Sequence, residues 1–303
     1  MSRMVLAIIA VAALAGCGGS GDDAGSDGRQ TVVAAFYPLA WAAERIGGDA
    51  VEVTNLTPPG AEPHDIELSA RDVERIRDAD LVVYLGQSFQ PGVEEAAEDA
   101  GGETLDVLEG QTLRPASAGH GHEDEESASE SEEDEEGGLD PHVWLDPARF
   151  AAIVERLGVE LGAEGRATDL AGDLRALDRE LRRGLTTCDR REIVTSHAAF
   201  GYLAARYDLE QIPITGLEPE AEPSAQGLER VVEEVREHGA TTVFFETLVS
   251  PRLAETVARE SGADTAVLNP IEGLTEEQLA EGADYLSVMR DNLAALRTAL
   301  GCR

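Results

Sequence analysis

The sequence predicts an α/β fold of two lobes with parallel sheets, joined by a long helix and separated by a cleft. In both halves of the 303-residue chain, short β-branched or apolar runs alternate with single amphipathic helical stretches. Strands separated by single helices imply crossover connections and therefore parallel sheets. Between the halves, residues 147–187 are predicted to be almost entirely helical, without an intervening strand.

Three strands are predicted in each half. In the first half, a helix begins at Ser69, where Ser69 and Asp72 form a capping box in which Asp replaces Glu. In the second half, helices over Leu228–His238 and Arg252–Ser261 separate the strands. The six strands are Thr31–Phe36, Val51–Leu56, Leu81–Leu85, Glu192–Thr195, Thr241–Phe245 and Thr265–Leu268.

The central helical region contains one apolar stripe over residues 167–185, a pattern typical of a helix with one buried face. Such a helix between two lobes would act as a stiff strut. We therefore expect an N-terminal lobe over residues 30–164, a linking helix over 165–188 and a C-terminal lobe over 189–303. The stripe consists of Leu170, Leu174, Leu177, Leu181 and Leu185.

The charge balance argues against whole classes of partner. There are 60 acidic and 24 basic residues, which give a formal net charge of −36. Such a surface repels phosphate backbones and anionic lipid headgroups, so neither nucleic acid nor a basic membrane-docking patch is expected. Aromatic residues make up only 4% of the chain, which disfavours stacking platforms for bases or sugars.

The first 17 residues predict a lipoprotein signal peptide. The apolar run Val5–Ala15 is too short for a permanent membrane helix, and Leu14–Cys17 resembles a bacterial lipoprotein box in which Cys17 carries the lipid. Residues 18–29 are rich in Gly, Ser and Asp and predict a flexible tether. The alternative is an ordinary secretory signal with an incidental Cys. We expect an exported protein, anchored to the membrane at the cell surface or in the periplasm.

Two further cysteines, Cys188 and Cys302, form an even pair in a chain predicted to be exported. A disulfide between them would tie the C-terminal helix to the start of the second lobe. The alternative is two unpaired thiols. A two-cysteine metal site is less favoured, because neither residue has a neighbouring His or Cys.

An acidic segment over residues 117–138 contains ten acidic residues, no basic residue, and the pair His120 and His122. Its charge and lack of apolar residues predict a solvated segment. One interpretation is a plain insertion. The other is a weak secondary metal site at His120 and His122.

Three of the six histidines occupy positions typical of ligand groups. His64, His142 and His197 each lie near the end of a predicted strand or before a helix, and prolines flank the first two. Three neutral imidazoles, completed by a carboxylate or water, suit Zn²⁺. The alternative for each is a capped or core histidine, because spacing alone does not show that the three converge. Candidate supporting acceptors for the imidazoles are Asp65, Asp140 and Asp146.

Five stretches of this chain resemble the substrate-binding lipoproteins of zinc and manganese ABC importers. The resemblance implies two similar lobes, a rigid inter-lobe helix and one divalent ion held in the cleft by His64, His142 and His197. The DPHVWLDP stretch is the most specific. The five stretches are Pro63–Gly86, Asp140–Pro147, Thr195–Leu209, Phe244–Ala263 and Tyr285–Leu296.

The resemblance leaves the fourth ligand open. Relatives use an acid shortly before the final helix, which places the expectation on Asp284. Some zinc-type relatives carry Glu directly before the first His, but this chain has Pro63 there. Glu246 is a further candidate, although a surface or supporting role suits it better, and water could complete the site. Manganese-selective relatives carry a carboxylate where this chain has His197, so Zn²⁺ is the expected ion.

Three functions are compatible with these features. The first is a monomeric binding protein that captures Zn²⁺ outside the membrane and delivers it to an ABC permease and its ATPase, or a manganese- or iron-binding member of the same family. The second is a metallohydrolase or hydratase, against which the chain lacks H-E-x-x-H and G-x-S-x-G motifs. The third is an adhesin-like lipoprotein stabilised by its metal. We expect the first, with no catalytic residues.

Overall fold

Two four-stranded parallel sheets flanked by helices make up the fold. The computed structural model describes residues 28–116 and 138–303. The predicted lipidation site Cys17 and the predicted secondary site at His120 and His122 lie outside the described residues. Within the described ranges, no helix combines the length and apolarity needed to cross a membrane.

The first sheet is built from strands connected by one helix each, and its strand order is β2-β1-β3-β4. The strands are β1 (Gln30–Ala34), β2 (Val51–Asn55), β3 (Leu81–Tyr84) and β4 (Glu103–Asp106). The helices are α1 (Tyr37–Gly47), α2 (Ala70–Asp78) and α3 (Pro91–Glu98). The predicted capping box at the start of α2 is present, with Ser69 and Asp72 bonded reciprocally.

Two helices separate the sheets. They follow a short antiparallel pair, β5 (Arg114–Pro115) and β6 (Leu139–Asp140). Helix α4 (Pro147–Glu160) begins after Asp146, whose side chain accepts hydrogen bonds from the backbone N–H groups of Ala148 and Arg149. The 22-residue helix α5 (Glu164–Leu185) carries the predicted apolar stripe, and all five of its leucines are buried.

The second sheet repeats the topology of the first. Its order β10-β9-β7-β8 also places the second strand beside the first and the third on the first strand's other side. Its strands are β7 (Glu192–Thr195), β8 (Glu210–Pro213), β9 (Thr242–Phe245) and β10 (Asp264–Val267). Its helices are α6 (Gly201–Tyr207), α7 (Ala225–Glu237) and α8 (Arg252–Ser261), followed by α9 (Glu276–Ala280) and α10 (Tyr285–Leu300).

All six predicted strands are present, but two strands of the parallel sheets, β4 and β8, were not predicted. Both lie at a sheet edge. Their sequences, ETLD and EQIP, are partly polar because the edge strands are only partly buried. The apolar runs on which strand prediction depends are therefore missing at these two positions.

The main core extends from the first sheet through α5 to α10, and a smaller cluster lies under α7 and α8. Helix α10 returns to the first half of the chain, where Tyr285 stacks on Trp41 at 5.2 Å and contacts Phe150 at 4.8 Å between ring centroids. The predicted disulfide between Cys188 and Cys302 is present and ties the end of α10 to the segment before β7. Helices α5 and α10 thus join the two sheets.

Candidate metal centre

Four side chains from distant parts of the sequence converge between the sheets: His64, His142, His197 and Glu272. Each offers one ligand atom, and these atoms all lie within 4.8 Å of one another. The predicted convergence of the three histidines is therefore present, and the fourth member is an acid that sequence reasoning did not single out.

Strand ends explain this convergence. His197 lies two residues after β7, and Glu272 follows β10 in the same parallel sheet. His64 belongs to the loop after β2, and His142 lies between β6 and the short 3₁₀ turn 143–145. Loops at the carboxyl ends of parallel strands share one edge of the sheet, which is where open α/β sheets place ligands.

The distances from the Glu272 carboxylate to the three imidazoles are close to those around a tetrahedral ion. Oε1 of Glu272 lies 3.1 Å from Nε2 of His142, 3.4 Å from Nε2 of His64 and 3.4 Å from Nε2 of His197. Zinc–ligand bonds of about 2.0–2.1 Å in a regular tetrahedron place ligand atoms about 3.3–3.4 Å apart. The carboxylate oxygen is thus already near tetrahedral spacing from all three imidazole nitrogens.

The orientation of His142 is set by Asp140. Nδ1 of His142 lies 2.8 Å from Oδ1 of Asp140, which also accepts the backbone N–H of His142 at 2.9 Å. Because a carboxylate only accepts, Nδ1 donates, and Nε2 is the nitrogen that faces the cluster. Such a carboxylate–histidine pair fixes the imidazole tautomer that binds a metal.

Glu246 supports His197 in the same way. Its Oε1 lies 2.8 Å from Nδ1 of His197 and also accepts the hydroxyl of Ser196 at 2.7 Å. Glu246 follows β9, the strand adjacent to β7, so neighbouring strand ends supply the ligand and its support.

The electrostatics favour positive charge at the centre. Burial alone lowers the pKa of His197, but the charges of Glu246 and Glu272 raise it well above 6.5. Burial also lowers the pKa of His142. The hydrogen bonds with Asp140 and Glu272 outweigh this effect, so the pKa of His142 is raised as well. Burial raises the pKa of Glu272, but His197 and His142 hold it well below its usual range. The carboxylates around His142 and His197 therefore favour a positive charge at this position, which a bound cation would supply.

Two buried atoms of the cluster have no hydrogen-bond partner: Nε2 of His197 and Oε2 of Glu272. Leaving buried polar atoms unpaired costs free energy. A cation bound between these groups would remove that cost, so the donor set fits a metal ion.

Glu62 lies at the margin of the cluster, two residues before His64. Its Oε2 accepts the backbone N–H of His64 at 2.9 Å, and its Oε1 is buried without a partner. Burial, followed by the charge of Glu272, raises the pKa of Glu62 to about 9. The acid carried by some zinc-type relatives lies directly before the first His, where this chain has Pro63, so the resemblance did not indicate Glu62.

The expectation for Asp284 is not met, because the structure places it away from the cluster. Asp284 is the N-cap of α10, where its side chain accepts the backbone N–H of Ser287 at 2.9 Å. Glu272 takes the fourth position instead. Of the candidate supports, Asp140 contacts an imidazole, whereas Asp65 is exposed and Asp146 caps α4.

A signal for Glu272 was present in the sequence. Glu272 follows the last predicted strand by a few residues, after Pro270, in the same kind of position that singled out the histidines. Applying the strand-end rule to acids as well as histidines would have included it.

Comparisons with known proteins agree with this geometry. Residues 32–299 match the family model described as the periplasmic component A of the zinc-uptake complex, ZnuA. The high-affinity zinc uptake system protein ZnuA of Bacillus subtilis is 34% identical over 308 residues, which cover 95% of this chain and 93% of that protein.

Two streptococcal relatives are longer than this chain. The zinc-binding protein AdcA of Streptococcus pyogenes serotype M6 is 36% identical over 289 residues, and the zinc-binding lipoprotein AdcA of Streptococcus pneumoniae serotype 4 is 36% identical over 285. Each match covers 90% of this chain, which spans about half (56%) of the length of either relative.

Solved structures show the same architecture. The Zn(II)-bound ZnuA-like domain of S. pneumoniae AdcA superposes with a TM-score of 0.71 at 33% identity, over 90% of this chain and 99% of that one. The laminin-binding protein Lmb of Streptococcus agalactiae, described as an adhesin with metal-transporting activity, gives a TM-score of 0.76 at 27% identity over 90% and 99% of the two chains.

Proposed function

This chain belongs to the family of periplasmic A components of zinc-uptake complexes, and on that premise we propose that it captures one Zn²⁺ ion for import. The observation that carries the proposal is the convergence of three imidazole nitrogens on one carboxylate oxygen at 3.1–3.4 Å. Three nitrogen donors and one oxygen donor favour Zn²⁺ over Mn²⁺, which prefers oxygen-rich, higher coordination.

Capture is favoured over catalysis by the closure of the site. The side chains of His142, His197 and Glu272 are fully buried, and that of His64 is 4% exposed. Four protein ligands satisfy a tetrahedral ion, whereas a catalytic zinc keeps one position for water or substrate. We therefore assign no catalytic residue and treat the ion as cargo.

Delivery requires partners and a location. We propose that the lipid on Cys17 anchors a monomer outside the cytoplasmic membrane, where it passes Zn²⁺ to an ABC permease driven by an ATPase. The lipoprotein-type sequence at Leu14–Cys17 and the naming of the pneumococcal relative as a lipoprotein support the anchor. The charge of −36 supports a role with cations and not with nucleic acid.

A second, weaker Zn²⁺ site at His120 and His122 is proposed as an accessory to the first. Its support is the pairing of two imidazoles with ten acidic residues in one segment. Deleting residues 119–138 should remove a weak step from a Zn²⁺ titration and leave the tight step unchanged. Loss of the tight step would place this segment in the primary site.

The experiment that tests the main proposal is a competition titration of the metal-stripped chain lacking residues 1–17 with Zn²⁺ and Mn²⁺, with bound metal counted by mass spectrometry. We expect one tight Zn²⁺ with a dissociation constant on the order of nanomolar or lower, and Mn²⁺ should not displace it. Equal binding of Mn²⁺ would contradict the assigned selectivity. Absence of tight binding by either ion would overturn the metal site.

A further inference from the structure

We propose that Trp144 is a positioning residue for the ligand Glu272, acting through a hydrogen bond between the two halves of the chain. The inference rests on the proposed function, because it concerns how the same site holds its ion. Trp144 lies in the 3₁₀ turn after His142, whereas Glu272 follows β10 of the second sheet.

Glu272 is presented by a strained segment, residues 268–273, which we call the Glu272 turn. Ile271, the residue directly before Glu272, has φ = 58° and is completely buried. A β-branched residue rarely adopts this left-handed conformation, because its side chain clashes with the backbone. Strained backbone of this kind persists only where surrounding contacts hold it, and it is concentrated at functional sites.

Asn292 of α10 stabilises one end of the Glu272 turn. The side chain of Asn269 accepts the backbone N–H of Ile271 at 2.7 Å. The backbone of Asn269 is in turn bonded at both its N–H and its carbonyl by the side-chain amide of Asn292, at 2.8 Å and 2.7 Å. These bonds attach the start of the Glu272 turn to the second half of the chain.

Another contact to this backbone crosses the molecule. The indole Nε1–H of Trp144 donates to the carbonyl of Pro270 at 2.7 Å. This carbonyl belongs to the peptide bond that joins Pro270 to the strained residue Ile271. The hydrogen bond therefore restrains the backbone directly before Ile271. Only an indole, and not a phenyl ring, offers this donor.

The indole itself is held on the side of His142. Its ring lies 4.8 Å from Phe36, 5.6 Å from Phe89 and 5.1 Å from the ring of His142. The backbone carbonyl of Trp144 accepts the hydroxyl of Tyr285. Trp144 therefore connects the segment beside one ligand, His142, to the turn that carries another, Glu272, and breaking this contact would loosen the hold on Glu272.

The test is a double-mutant cycle that measures the Zn²⁺ dissociation rate with a competing chelator. Trp144→Phe keeps most of the ring packing and removes the donor, and we expect dissociation to accelerate about tenfold, the effect of losing one buried hydrogen bond. In a Glu272→Ala background the same substitution should change the rate less than about twofold, because the ligand it positions is gone. Trp41→Phe, at the only other tryptophan of the chain, is the matched control and should leave the rate unchanged.

Equal acceleration by Trp144→Phe in both backgrounds would overturn the inference, since the indole would then act on the histidines or on general stability. Hydrogen exchange of the indole N–H groups, followed by ¹H–¹⁵N NMR on the metal-free protein, tests the contact without Zn²⁺. The Trp144 signal should be protected, and its rapid exchange would contradict the hydrogen bond. A chain that binds no Zn²⁺ but protects this signal would refute the proposed function while retaining the contact.

Discussion

His142 and His197 are held differently from His64. Each of the first two is fully buried and donates Nδ1–H to a carboxylate at 2.8 Å. For His64, the structure shows instead a backbone N–H bonded to Glu62, with the ring packed edge-on against Phe89 at 4.5 Å between centroids. A carboxylate partner fixes both the orientation and the tautomer of an imidazole ring. His142 and His197 are therefore oriented before an ion binds, whereas the orientation of His64 depends on the loop that carries it.

Zn²⁺ binding should weaken most when one of the two histidines with a carboxylate partner is removed. His197→Ala or His142→Ala should weaken Zn²⁺ binding more than about 100-fold, since losing only a supporting partner costs about 10–100-fold. His64→Ala should weaken binding less than either. Competition titrations of the three variants measure this order, with far-ultraviolet circular dichroism as the control for folding. A larger loss in His64→Ala would show that the carboxylate-held histidines are not the dominant ligands.

Removing the carboxylate that accepts the Nδ1–H group tests how much the fixed orientation of His142 and His197 contributes. Asp140→Asn and Glu246→Gln should each weaken Zn²⁺ binding about 10–100-fold, because the amide no longer favours the Nδ1–H tautomer. Asp65→Asn is the matched control, since Asp65 lies beside His64 in sequence but is exposed. Affinity unchanged in Glu246→Gln would mean that His197 needs no oriented partner.

Lowering the pH should weaken Zn²⁺ binding by about tenfold per pH unit for each proton displaced. The charges of Glu246 and Glu272 raise the pKa of His197 well above 6.5 in spite of burial, so protons compete with the ion from a pH above 6.5. Glu246→Gln removes one of these charges and should move the onset to lower pH. Titrations between about pH 5 and 8 measure this, and a flat profile would contradict the role of the imidazoles.

The smallest effect is expected at Asp284. Asp284→Ala should leave Zn²⁺ affinity unchanged and lower the free energy of unfolding by about 0.5–2 kcal/mol, because it removes the N-cap of α10. Glu272→Gln is the comparison, which should weaken binding without loss of the cap. Chemical denaturation and metal titration of both variants separate the two roles, and weakened binding in Asp284→Ala would restore it as a candidate ligand.

Helices and strands could be predicted where a cap or an apolar pattern in the local sequence shows which residues are buried. The capping box at Ser69 and the apolar stripe of α5 are local, and both appear where predicted. The edge strands β4 and β8 were missed because partial exposure allows polar residues there. The α5 stripe shows which face is buried, but it does not show that α10 packs against the same helix.

Residue types and their near neighbours were enough to predict the chemistry of the site. Three histidines in rigid or strand-end positions predicted nitrogen ligands for a zinc-type ion. An even pair of cysteines in a chain expected to be exported predicted the disulfide now seen between Cys188 and Cys302. Each of these predictions depends on residue type and near neighbours, which a single sequence contains.

The acid that completes the cluster is identified by the packing of the folded chain. Glu272 lies 208 positions from His64 and 130 from His142, yet one of its oxygens approaches the imidazoles of both. Asp284 was the acid that the family resemblance indicated, but it is the N-cap of α10. The distances between ligand atoms depend on how the strand ends of the two sheets are placed relative to each other. Packing around α5 and α10 sets this placement, and no local sequence pattern reports it.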